Sequence, residues 1–89
     1  MKLKAYFVTS NNCGHCNIAL DALEKVYGDS WKGVMETITT SHDLAKTNKI
    51  FSTPTLLVVD LEDDNKLVAK VGGSNNLTEK FWSDFFTKA

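Results

Sequence analysis

The sequence has only two cysteines and a single proline, and it contains no apolar run long enough to span a membrane. Its charges nearly cancel, because ten basic residues oppose eleven acidic ones and leave a net charge of −1. This balance gives no reason to expect nucleic acid or an anionic membrane as a partner. The first residues also lack the apolar region and cleavage site of a signal peptide, since Lys4 interrupts a short apolar stretch. We therefore expect a cytoplasmic protein.

The chain length sets the scale of the fold. Residues 1–89 fit one domain, and the chain is too short for a Rossmann enzyme, a TIM barrel or a cleft between two domains. A chain of this size buries about 60–65% of the surface that its unfolded form exposes. With 43% hydrophobic and 24% charged residues, the composition is typical of a globular domain. One modest core is predicted, and we interpret Trp31 and Trp82 as aromatic residues of its interior or its rim.

The two cysteines carry the strongest functional signal, because they are spaced as Cys13-Gly14-His15-Cys16. A structural disulfide is disfavoured, since so short a loop gains little from loop-closure entropy. A zinc site needs four ligands, and the other imidazole in the chain is His42, so we predict no metal site within one chain. A metal or cluster module that uses the same thiols stays as the non-enzyme alternative. The favoured interpretation is a redox-active dithiol.

Four segments have the apolar patterns of strands. They are Leu3–Thr9, Val34–Thr40, Thr55–Val59 and Lys66–Val71. The first and third are apolar on both faces, which predicts central strands, and the second is rich in β-branched residues. The fourth alternates in part, which predicts an edge strand. Its alternation places three apolar side chains on one face: Leu67, Ala69 and Val71.

Three segments have helical spacing. A helix is predicted from Cys13 to Gly28, because apolar residues recur there every three or four positions. Leu44–Lys49 predicts a short second helix. Asn76 and Glu79 resemble a capping box at the start of a third. The predicted order of elements is βαβαββα.

The position of the cysteine pair suits thiol–disulfide exchange. A thiolate at Cys13 would lie in the first turn of a helix, where free N–H groups and the helix dipole favour an anion. Cys16 follows one turn later, so its sulfur can reach that of Cys13. Gly14 leaves the site open to large partners. His15 can place an imidazolium near the thiolate, which would favour the thiolate and raise the redox potential.

The chain resembles the thioredoxin superfamily. The resemblance rests on the order of elements, on the cysteine pair opening a helix, and on Ser52-Thr53-Pro54-Thr55-Leu56 ahead of an apolar strand. It implies a minimal thioredoxin/glutaredoxin fold of class α/β, with a four-stranded mixed sheet of order 2-1-3-4 flanked by helices. It also implies that Cys13 is the nucleophile, that Cys16 resolves the mixed disulfide, and that Pro54 follows a cis peptide bond beside them. The Thr53 backbone would then pair with an extended substrate segment.

Individual residues point to different branches of that superfamily. The Gly-His dipeptide between the cysteines is similar to protein disulfide isomerase. Asn12 and Phe7 stand where thioredoxin and isomerase domains carry a tryptophan and a buried acid. Gly72 and Gly73 begin a segment that resembles the glutathione-binding element of glutaredoxins, with asparagines where that element has acids. Taken together, these residues resemble the small glutaredoxin-like thioredoxins of prokaryotes and their phages.

These resemblances predict an enzyme that exchanges disulfides with protein substrates. Cys13 and Cys16 would do the chemistry, and Gly14 and His15 would tune it. Thr53, Pro54 and the Gly72-Gly73 pair would bind the substrate. We expect a monomer without a cofactor, reduced by thioredoxin reductase or by glutathione. A glutathione-dependent glutaredoxin is the alternative enzyme.

Overall fold

A computed structural model describes residues 2–88 and contains one four-stranded sheet. Its strands are β1 (Leu3–Thr9), β2 (Met35–Thr39), β3 (Thr55–Asp60) and β4 (Lys66–Gly72). The strand order is β2-β1-β3-β4. β1 runs parallel to β2 and antiparallel to β3, and β3 runs antiparallel to β4. The order implied by the resemblance is confirmed, and both fully apolar strands lie at the centre.

Three α-helices connect or follow the strands. They are α1 (Gly14–Tyr27), α2 (Asp43–Thr47) and α3 (Glu79–Lys88). Two short 3-10 segments, Gly28–Gly33 and Leu61–Asp63, complete the path. The order of strands and helices is βαβαββα, as predicted. Within the residues described, no helix combines the length and the apolar character needed to cross a membrane.

The ends of α1 follow from its sequence. Cys13 is its N-cap, with extended backbone angles and a sulfur that accepts a hydrogen bond from the Cys16 N–H. Gly28 ends the helix with a φ of 63°, and its N–H donates to the Glu24 carbonyl. Glycine adopts this left-handed conformation without the steric cost of a Cβ. The predicted start and end of the helix are confirmed.

The sheet separates two apolar clusters. The larger lies between the sheet and the helices α1 and α3, and its buried members include Phe7, Leu23, Leu56 and Trp82. The smaller lies on the α2 side, with Val8, Leu57 and Ala45 among its buried members. Neighbours such as Phe7 and Val8 point to opposite faces and are both fully buried, which is why β1 is apolar throughout. Trp31 also belongs to the larger cluster, so both tryptophans are core residues as predicted.

The predicted face of β4 is wrong at one residue. Ala69 and Val71 pack against the larger cluster, but Leu67 is 42% exposed. The register between β3 and β4 shifts at Val58 and Val59, so that Leu67 lies opposite Val59, a member of the smaller cluster. A bulge inserts one residue into the strand and so reverses the alternation beyond it.

The predicted capping box at the start of α3 is also wrong. Thr78, rather than Asn76, precedes the helix and accepts a hydrogen bond from the Phe81 N–H at 3.2 Å. The Asn76 side chain instead donates to the Gly72 carbonyl at 2.8 Å and closes the turn after β4. Asparagine and threonine are both good N-cap residues. Because the Asn76 side chain is used to close the turn, Thr78 serves as the N-cap.

Candidate active site at the Cys13–Cys16 pair

The two cysteines lie where β1 passes into α1. The connecting loop ends at Asn12, whose positive φ of 59° turns the chain into the helix. Cys13 is half-buried at the N-cap, whereas Cys16 is 1% exposed and belongs to the larger apolar cluster. The two sulfurs form a disulfide. The pair therefore offers one accessible sulfur and one that is enclosed by the protein.

The Cys13 sulfur accepts two hydrogen bonds from the protein. The Cys16 backbone N–H donates to it at 3.1 Å, and the Thr53 hydroxyl donates at 3.3 Å. Both donors would strengthen their bonds if the sulfur carried a negative charge, as it does in a thiolate. The helix N-terminus adds its own favourable field. These donors are placed where they can bond to a Cys13 thiolate when the disulfide is reduced.

The segment before β3 lies directly beside the cysteines. The Thr53–Pro54 peptide bond is cis, as the resemblance implies, and Pro54 is buried. The Pro54 carbonyl accepts a hydrogen bond from the Gly73 N–H at 2.9 Å. A Cβ on Gly72 would lie 3.3 Å from the Thr55 hydroxyl oxygen. The structure therefore brings Thr53, Pro54 and both glycines to the same end of the sheet as Cys13.

His15 and Gly14 have different surroundings although they are neighbours. His15 is exposed, and its Nδ1 lies 3.1 Å from the Ser74 hydroxyl oxygen in the turn after β4. A Cβ on Gly14 would meet nothing within 4 Å, so this side of the site is open as predicted. The contact with Ser74 joins the cysteine motif to the Gly72-Gly73 turn, a connection that the motif itself does not indicate.

The surroundings of Cys16 are apolar. Phe7 occupies the position where the resemblance leads one to look for a buried acid, and it is fully buried in the same cluster as Cys16. Thr55 is the only buried residue of polar or charged type within the described part of the chain.

Within that part, no group of three or more His, Cys, Asp or Glu side chains is arranged to hold a metal ion.

The sequence does not single out two residues that lie near Thr53 in space or along the chain. Ser10 lies in the loop after β1, and its hydroxyl oxygen is 2.8 Å from that of Thr53. Phe51 is 86% exposed, two residues before Thr53. No spacing rule links Ser10 to Thr53 across 43 residues. An aromatic residue in the polar loop before Pro54 was the available signal for Phe51.

Comparison with known proteins identifies the architecture. No protein-family model matches the sequence, and no curated protein matches it by sequence. The structure is similar to a thioredoxin from Fasciola hepatica, with a TM-score of 0.67 and 16% identity over 98% of this chain and 80% of that one. It is also similar to Malassezia sympodialis thioredoxin, with a TM-score of 0.69 and 14% identity over 98% of this chain and 74% of that one. A disulphide isomerase from Xylella fastidiosa gives a TM-score of 0.61 and 15% identity over 98% and 77% of the two chains.

The chain has the thioredoxin fold. Within this thioredoxin fold, the cysteine pair opens α1 at the carboxyl end of β1. The cis proline and the turn after β4 meet the pair from the other side. Three separate parts of the chain thus converge on the half-buried Cys13.

Proposed function

We propose that this protein is a thiol–disulfide oxidoreductase that acts on protein disulfides, with Cys13 as its nucleophile. The observation that carries the proposal is the contrast between the two sulfurs. Cys13 is accessible and accepts hydrogen bonds from the Cys16 N–H and the Thr53 hydroxyl, whereas Cys16 is buried. A thiolate that is both stabilised and accessible is the reactive species in disulfide exchange.

The reaction proceeds in two exchanges. The Cys13 thiolate attacks one sulfur of the substrate disulfide, forms a mixed disulfide and releases the other substrate sulfur as a thiolate. Cys16 then loses its proton and attacks the Cys13 sulfur, which releases the second substrate thiol and leaves the Cys13–Cys16 disulfide. Two electrons pass from the protein to the substrate. A dithiol or thiol donor must then reduce the protein again.

The surface around Pro54 supports a polypeptide as the substrate. Thr53 precedes β3 and lies beside Cys13, where an extended segment can pair with its backbone. Gly14 leaves space above the helix N-terminus, and the Gly72-Gly73 turn borders Pro54. The open space beside Gly14 suits a segment of a larger molecule. We propose the cytoplasm as the place of action, because reducing systems there regenerate dithiols.

The redox potential follows from the motif. An imidazole at His15 stabilises the reduced, thiolate form and so makes the disulfide a stronger oxidant. We propose a potential between that of thioredoxin and that of protein disulfide isomerase, about −270 to −180 mV.

Glutathione is the alternative electron donor or substrate. The Gly72-Gly73 turn lies next to Pro54, but Asn76 holds the Gly72 carbonyl with its amide and supplies no negative charge for a peptide ligand. We therefore favour a protein substrate and thioredoxin reductase as donor.

The proposal is tested by reducing a protein disulfide with the purified protein and comparing two donors. One donor system is NADPH with thioredoxin reductase, and the other is NADPH with glutathione and glutathione reductase. We expect turnover with the first and much slower turnover with the second. The reverse result supports the glutaredoxin alternative, and no turnover with either or with dithiothreitol overturns the proposal. A metal assay and an absorption spectrum of the same preparation test the metal or cluster alternative.

Cysteine variants test the roles of the two sulfurs. We expect Cys13→Ser to abolish reduction, whereas Cys16→Ser should form a mixed disulfide with the substrate and accumulate it. Mass spectrometry of the trapped adduct locates the sulfur involved. Accumulation in Cys13→Ser and loss of reaction in Cys16→Ser would reverse the assignment.

A further inference from the structure

The hydroxyl groups of Ser10 and Thr53 form a chain of hydrogen bonds that ends at the Cys13 sulfur. The Ser10 oxygen lies 2.8 Å from the Thr53 oxygen, and the Thr53 hydroxyl donates to the sulfur at 3.3 Å. Ser10 follows β1 and Thr53 precedes β3, so these hydrogen bonds connect two loops that lie 43 residues apart. Both side chains are half-buried. Solvent therefore competes for these bonds less than it does at the open surface.

The number of hydroxyl protons determines which group donates in each of these hydrogen bonds. A threonine hydroxyl has one proton, and in Thr53 that proton points to the Cys13 sulfur. The Thr53 oxygen must then accept in its bond with Ser10, so that Ser10 is the donor. A hydroxyl that accepts one bond becomes a stronger donor in the next, and the two bonds reinforce each other. A Thr53 hydroxyl without Ser10 would be free to rotate and to donate elsewhere.

We propose that Ser10 is a positioning residue for the thiol chemistry of Cys13. It holds the Thr53 hydroxyl in the orientation that donates to the sulfur, and this stabilises the thiolate. The inference rests on the proposed function, because it assigns Ser10 a part in setting the reactivity of that nucleophile. Two other titratable residues belong to the same motif: Cys16, whose backbone donates to the sulfur, and His15, whose Nδ1 contacts Ser74.

The test is the rate at which iodoacetamide alkylates Cys13 in the reduced protein, measured as a function of pH. Thr53→Val removes the donor and should move the midpoint of this profile upward by about one pH unit. Ser10→Ala should move it in the same direction by about 0.3 to 0.5 of a unit, because the Thr53 donor remains but is no longer held. Since Ser10 acts through Thr53, the double variant should match Thr53→Val. Ser10→Thr keeps the hydroxyl and should restore the wild-type midpoint.

A matched control removes a similar bond elsewhere. Ser41 and Thr39 also form a pair of hydroxyls, 2.7 Å apart, near the start of α2. Ser41→Ala should leave the midpoint unchanged. Circular dichroism of each variant checks that it is folded, and Ser10→Gly replaces Ser10→Ala if the latter does not fold.

The outcomes separate this inference from the proposed function. An unshifted midpoint in Ser10→Ala, or shifts that simply add in the double variant, would show that Ser10 only ties two loops together, and would overturn the inference. Alkylation requires no disulfide substrate and no reductase. A protein that shows the expected shifts but reduces no disulfide would therefore sustain the role of Ser10 and reject the proposed function.

Discussion

The Nδ1 atom of His15 lies 3.1 Å from the hydroxyl oxygen of Ser74, so a hydrogen bond connects the cysteine motif to the turn after β4. One nitrogen of the imidazole is engaged by the protein, which fixes the orientation of the ring. The tuning expected of His15 therefore depends on a residue 59 positions away. A substitution in that turn can therefore alter the surroundings of the cysteine pair, although it changes neither cysteine.

His15→Pro should make the couple more reducing. Proline removes the imidazole that stabilises the thiolate form, so we expect the potential to fall by about 30 mV or more. Equilibration of both proteins against a series of glutathione buffers measures the difference. Ser74→Ala should shift the potential in the same direction by less, because the ring stays but loses its partner. Equal potentials in wild type and His15→Pro would reduce His15 to an exposed residue of the turn.

Phe51→Ala should impair the reduction of peptide disulfides but not of small ones. Phe51 is 86% exposed and lies two residues before Thr53, where a bound segment would cover it. Losing part of that apolar contact should lower kcat/KM for a peptide disulfide about fivefold. Hydroxyethyl disulfide is too small to cover Phe51, and its reduction should be unchanged.

Val34→Ala is the control for this effect. Val34 is 51% exposed and precedes β2, at the end of the sheet opposite to the cysteines. Its substitution should leave both rates as in the wild type. A loss of peptide reduction in Val34→Ala equal to that in Phe51→Ala would mean that the loss has nothing to do with the site.

Gly73→Ala should destabilise the fold. Gly73 has a φ of +94°, and a Cβ there would lie 2.6 Å from Oδ1 of Asn75. We expect the free energy of unfolding to fall by about 1–3 kcal/mol, which urea denaturation can measure. The activity should fall as well, because a backbone shift that relieves the clash would displace the Gly73 N–H from the Pro54 carbonyl.

Gly14→Ala provides the comparison within the same site. A Cβ on Gly14 meets nothing within 4 Å, and alanine favours helix more than glycine does. Its free energy of unfolding should stay the same or rise by up to about 1 kcal/mol. Equal destabilisation in the two variants would contradict this account of the turn.

Trp82→Phe should cost more stability than Trp31→Phe. Both indoles belong to the larger apolar cluster, and both changes remove a similar volume. Trp82 Nε1 donates to the Ala19 carbonyl at 3.2 Å, whereas Trp31 Nε1 meets no acceptor within the part of the chain that the structure describes. The difference between the two losses should be about 1 kcal/mol, the net value of one hydrogen bond. Urea denaturation of the two variants measures it, and equal losses would show that the Trp82 bond adds nothing.

The fold was predictable because its main signals are local. The apolar runs in β1 and β3 and the helical spacing after Cys13 each depend on a few neighbouring residues. The alternation of β4 predicts the wrong face for Leu67, because the bulge arises from pairing between two strands and is not encoded in the pattern of one strand. The sequence predicts Asn76 as a cap, because its bond to the Gly72 carbonyl exists only once the turn has closed.

In the candidate site, too, the sequence predicts the local features and does not predict the long-range contacts. The cysteine pair is a short-range motif, and Pro54 was linked to it by the resemblance alone. Ser10 and Ser74 join the site across more than 40 residues through single hydroxyl groups. Serine is common in loops, so the presence of a serine at these positions does not predict such a contact. Three-dimensional proximity is the information that was missing.

The bulge in β4 bears on how the sheet meets other molecules. A straight outer strand presents a row of unpaired backbone groups on which a further strand can assemble. The register shift at Val58 and Val59 interrupts that row in β4, and the same strand carries the lysines Lys66 and Lys70. At the opposite border, β2 is only five residues long, and Glu36 within it pairs with Lys4 at 2.9 Å. Both borders thus carry features that disfavour growth of the sheet into fibrils.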